Sequence, residues 1–78
     1  MHPYINVLEF PLAHFHSQRD VHDFCHGSMV KPLTVTVSGT CWCATIPTTD
    51  TGEGASASLA QINELERRLC SFSDPFPI

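Results

Sequence analysis

A small α+β domain of β-α-β-β-α order is predicted by three observations on this 78-residue chain. Residues 33–46 alternate between apolar and polar on both sides of Ser38-Gly39, the mark of a β-hairpin. Ser58 precedes Gln61 by three residues at the head of an apolar stripe, which marks a helix start. Between Pro3 and Pro11 lies a run rich in strand-forming residues, and Val21, Phe24 and Cys25 then recur at helical spacing. The simplest arrangement is a three-stranded antiparallel sheet packed by two helices on one face. At this length it is one domain, residues 1–78.

The first strand is expected over 4–10, with Ile5 and Val7 on one face and Tyr4, Asn6, Leu8 and Phe10 on the other. Both faces are largely apolar, which predicts cover on two sides. Ser17 and Asp20 carry a capping-box echo that starts a helix near 18–26, and Gly27 stands where a left-handed C-cap is expected. In the hairpin, a two-residue Ser38-Gly39 loop sets Val35 opposite Trp42, Leu33 opposite Ala44 and Val37 opposite Thr40. That register gathers Leu33, Val35, Val37, Trp42, Ala44 and Ile46 on an apolar face. Thr34, Thr36, Cys41, Cys43 and Thr45 form the other. Residues 47–57 are polar and glycine-bearing and are expected to be a mobile loop. The last helix is placed at 58–71, burying Leu59, Ile62, Leu65 and Leu69, with Cys70 as core filler and Glu64–Arg68 as an i,i+4 ion pair. Residues 73–78 form an extended, proline-broken apolar tail, read as a strap over the core.

Composition bounds the function. Hydrophobic residues make up 42% of the chain and charged residues 15%, the latter low against a typical ~25%. A charge-poor surface favours a protein partner. Eight acids against four Lys and Arg give a net charge of −4, too few cations to track a phosphate backbone, so direct nucleic-acid binding is not expected. No run approaches the roughly 20 apolar residues of a membrane span, and the N-terminus lacks a secretory signal's basic start and apolar run. A cytoplasmic protein with reduced thiols is the expectation.

Histidine and cysteine crowd the first helix. His14, His16, His22, Cys25 and His26 occupy thirteen residues, and His22 and His26 sit four apart, one above the other on a helix. Imidazole and thiolate suit zinc, so these five are the candidate ligands of a zinc site. The spacing is otherwise poor, and the plainer expectation is no cofactor: surface histidines on a helix flank beside half-buried cysteines. Cys41-Trp42-Cys43 lies mid-strand rather than at a helix N-terminus, where the dipole would activate a thiol, so a redox role is not expected. There is no glycine-rich phosphate loop, and Asp23 projects away from Cys25 and His22 on the helix, so no nucleophile–base–acid set forms. An enzyme is not expected.

The resulting expectation is a non-enzymatic module that binds a larger protein and regulates or inhibits it. Its surface would be the charge-poor hairpin face of Thr34, Thr36, Cys41, Cys43 and Thr45, the sheet edges or the His-rich helix. Size alone associates such proteins with phages and other mobile elements, anti-CRISPR proteins among them. The alternatives are a small zinc domain and a homodimer formed by strand pairing.

Overall fold

The computed structural model describes residues 3–73 and carries the predicted order: β1 Tyr4–Pro11, α1 Gln18–His26, β2 Thr34–Ser38, β3 Cys41–Thr48 and α2 Leu59–Ser73. The three strands form one antiparallel sheet with β3 in the centre, order β1-β3-β2. The predicted tail therefore begins inside α2 at Ser73, and the rest of it lies outside the described residues. Among the described residues, no helix is long and apolar enough to cross a membrane.

Strand alternation decides which face is covered. Leu8 and Phe10 of β1, Ala44 and Ile46 of β3 and Val35 of β2 are buried on one face. Ile62 and Leu65 of α2 and Val21 and Cys25 of α1 complete the same core, with Phe24, Trp42 and Leu69 packed against it. Both helices thus lie on one side. Ile5 and Val7 are 52% and 56% exposed on the opposite side, so β1 is covered on one face and not on two. Because both helices pack on the same face, the other face of the sheet is left open.

At the centre is an aromatic cluster. Phe10, Phe15 and Phe24 meet edge to face with ring centroids 5.2–5.9 Å apart, and Phe72 closes on Phe15 at 5.5 Å and Phe24 at 5.8 Å. Edge-to-face geometry sets the positive ring edge on a negative face and is worth about 0.5–1.5 kcal/mol per pair beyond burial. The Trp42 indole N–H donates to the Phe15 carbonyl at 2.9 Å, fastening β3 to the segment that precedes α1.

The hairpin register differs from the expected one by two residues. Ser38 pairs with Cys41, Val37 with Trp42 and Val35 with Ala44, so the loop is Gly39-Thr40. Gly39 takes φ 63°, and a glycine at the first central position is what a II′ hairpin turn requires. A two-residue shift leaves every side chain on its predicted face. Two members nevertheless leave the apolar set. The Leu33 amide donates to the Thr45 carbonyl at 2.7 Å while the Thr34 amide takes the Thr45 hydroxyl, a local break that turns Leu33 outward to 67% exposure. Val37, near the hairpin tip and beyond the reach of the helices, is 58% exposed.

β3 runs past Pro47 to Thr48. Proline is tolerated there because β2 has already ended, so no ladder bond is lost. The Pro47 carbonyl instead accepts from the Ala57 amide at 2.8 Å, and the Thr49 amide donates to the Ala57 carbonyl at 3.0 Å. The Thr49 hydroxyl accepts from the Gly52 and Glu53 amides, giving the following loop its own hydrogen bonds.

Both helix starts are capped as the sequence predicts. Ser17 accepts from the Asp20 amide and the Asp20 carboxylate accepts from the His16 amide at 2.8 Å. Ser58 and Gln61 exchange the full reciprocal pair, and the Gln61 amide group also donates to the Met29 carbonyl at 3.0 Å. The end of α1 departs from expectation: Gly27 is right-handed at φ −61°, and Met29 takes the left-handed position at φ 58°. The Val30 amide to the Cys25 carbonyl and the Met29 amide to the His26 carbonyl, both 2.9 Å, form the Schellman pair around Met29.

Gly27 is needed for a different reason, the close approach of Arg68. A Cβ at 27 would stand 2.9 Å from one guanidinium nitrogen and 3.2 Å from the other. Arg68 donates to the Phe24 carbonyl at 3.0 Å and to the Ser28 hydroxyl, and its guanidinium lies 4.0 Å over the Phe24 ring. It is thereby drawn to α1, and the predicted Glu64–Arg68 pair does not form. The ion pair present among the described residues is Arg19–Asp23, exposed on α1 at 4.0 Å. Leu59, expected inside, is 42% exposed at the first turn of α2.

Candidate interaction face

The side of the sheet opposite the helices is open, and its composition follows from the register. Reading across the strands, Ile5 stands beside Pro47; Val7, Thr45 and Thr34 form the next row; Glu9, Cys43 and Thr36 the third; Pro11, Cys41 and Ser38 the last. Thr34, Thr36, Cys41, Cys43 and Thr45, the predicted partner-binding set, are therefore brought together on one surface. Cys41, Cys43 and Thr45 are half-buried on the central strand, and Thr34 and Thr36 are exposed at the edge. The Thr34 and Thr45 hydroxyls bond each other at 2.6 Å, so part of the face's polarity is satisfied internally.

Ile5 and Val7 belong to this face and were absent from the set read off the sequence. Their shared side of β1 was legible from alternation. What was missing is that pairing with β3 puts that side level with the threonines and cysteines rather than under a second layer. Glu9 contributes the one ionisable carboxylate or amine among these rows. Neutral threonine, thiol, proline and aliphatic groups cost less to desolvate than charged ones, which lowers the cost of burying this face.

The predicted metal ligands are scattered. His14 is exposed and its ring lies tilted against Phe72 with centroids 5.1 Å apart. His16 is exposed just ahead of the α1 cap. His22 and His26 share one flank of α1, half-buried and exposed respectively. Cys25 is fully buried, and burial pushes its thiol from the ordinary 9.0 to about 11, the Arg68 charge offsetting part of the rise. Among the described residues, no three His, Cys, Asp or Glu side chains converge on one metal-sized point. His22 and His26 keep the helical spacing that suggested a site, and among the described residues no third donor joins them there.

All four cysteines are free thiols. Cys70, expected as core filler, is exposed on α2, where it lines a groove of about 650 Å³ between that helix and β1. Comparison with known protein families, with characterised proteins and with solved structures returns no match.

Proposed function

We propose that the chain is a non-enzymatic protein-binding module that acts in the cytoplasm by docking the open face of its sheet on a larger protein and regulating or blocking it. The observation that carries this reading is the uncovered face itself: Ile5 and Val7 stand more than half exposed beside Thr34, Thr36, Cys43 and Thr45, with Glu9 as the one charge. Apolar and neutral polar side chains on a flat, hydrogen-bonded support resemble the charge-depleted centre of a protein interface. The support is rigid because β3 is bonded on both sides.

Charge introduced on this face tests the reading. Ile5→Lys and Thr36→Lys each project an ammonium group into the surface without touching the core, and Asn63→Lys on the exposed side of α2 is the control. Capture from the native host should recover a partner with wild-type protein and Asn63→Lys, and lose it with Ile5→Lys and Thr36→Lys. All four proteins should melt alike. Undiminished capture by both face variants would refute the open face as the docking surface.

A further inference from the structure

The two outer edges of the sheet are finished differently. Along β2 the outward carbonyl of Val35 accepts from the Gln18 side-chain amide at 2.7 Å, so α1 engages that edge at one point. Along β1 the alternation of the ladder points the backbone groups of Ile5, Val7 and Glu9 outward, because Asn6, Leu8 and Phe10 face Ile46, Ala44 and Trp42. Among the described residues, no strand pairs with this edge. Pro3 and Pro11 fall at the same outward phase, where a missing N–H breaks no bond to β3, and they bracket an open stretch three residue pairs long. The groove of about 650 Å³ runs along this stretch, floored by Val7, Leu8 and Glu9 and walled on α2 by Glu66, Leu69 and Cys70.

We infer that this groove takes an extended, basic segment of a partner protein as a fourth strand beside β1. The inference rests on the protein-binding reading above but uses a different surface. Three outward N–H and three outward C=O groups supply the main-chain bonds of strand addition. Leu8 and Leu69 offer an apolar wall for the alternate side chains turned under α2. Charge selects the occupant: among the described residues, Glu9 and Glu66 line the groove and no cation does. A second copy of the chain would bring two such pairs of carboxylates into one seam, whereas a lysine- or arginine-bearing strand neutralises them.

The probe is a fluorescein-labelled nine-residue peptide alternating lysine and valine, blocked at both ends. Its comparators are a glutamate–valine peptide and a lysine–valine peptide N-methylated at alternate residues. By fluorescence anisotropy the lysine peptide should bind at least about ten-fold tighter than either, since one comparator repels the groove and the other cannot complete the ladder. With the peptide bound, exchange of the Ile5, Val7 and Glu9 amides should slow while the Asn6 and Leu8 amides, already bonded to β3, stay unchanged. Glu9→Lys combined with Glu66→Lys should reverse the charge preference; both side chains are exposed, so the fold is retained. Equal binding of the lysine peptide and its N-methylated form would overturn the inference. So would a dimer in light scattering whose Ile5, Val7 and Glu9 amides are protected without peptide. The assay needs no native partner, so its failure would remove the groove and leave the open-face reading to its own capture test.

Discussion

Arg68 joins the two helices, and its removal is the most informative perturbation of this fold. Its guanidinium bonds the Phe24 carbonyl and the Ser28 hydroxyl and covers the Phe24 ring at 4.0 Å. Two partly exposed hydrogen bonds at about 1 kcal/mol each, with a cation–π contact of about 0.5–1 kcal/mol, make Arg68→Ala cost about 2.5–3 kcal/mol. In a domain of this size that is a fall in Tm of about 10–20 °C. Gly27 supplies the decisive cross-check. Its backbone is helical, so Gly27→Ala alone would favour the folded state by about 0.5–1 kcal/mol. The added methyl, however, lands 2.9 Å from the guanidinium and must displace it from its bonds. Gly27→Ala is therefore expected to destabilise the wild-type protein and to stabilise Arg68→Ala. Urea melts of the four proteins in the double-mutant cycle measure this change of sign. Additive effects, or an Arg68→Ala midpoint equal to wild type, would refute the claim that Arg68 ties α2 to α1.

Two further outcomes follow from the core and from the end of α1. Cys25 keeps its proton to about pH 11 when folded but loses it near 9.0 when unfolded, so the folded state holds the extra proton between these values. Stability is full below about pH 9 and is lost as pH climbs from there toward 11, by about 2–3 kcal/mol for a gap of this size, a loss that Cys25→Ala should abolish in pH-dependent melts. Met29 holds φ 58° with its side chain 85% exposed, so Met29→Gly forfeits no packing and relieves a left-handed strain, raising stability by about 0.5–1 kcal/mol. A Met29→Gly protein that melts at or below wild type would show that the side chain contributes something beyond its conformation.

Much of the architecture is local and could be read before any contact was known. The five elements, the two Ser-led caps and the sides of each strand rest on alternation, helical spacing and hydrogen bonds that span three residues. Even the faces of the hairpin survived a wrong register, because an error of two residues preserves parity. The candidate face of Thr34, Thr36, Cys41, Cys43 and Thr45 was legible for that reason.

What the sequence by itself determined, then, is which residues share a side. Which sides are covered was decided only in three dimensions. Ile5 and Val7 carry the same alternation as Leu8 and Phe10, but two helices roof a single face, so one pair lies bare and the other is buried. Gly27 resembled a left-handed cap in sequence, yet the guanidinium that requires its missing side chain comes from a residue 41 positions away. Cys25 sat among histidines in the chain and faces the core in the fold, where desolvation raises its thiol pKa. Each of these depends on contacts between distant segments, and a pattern of neighbours along the chain carries no record of them.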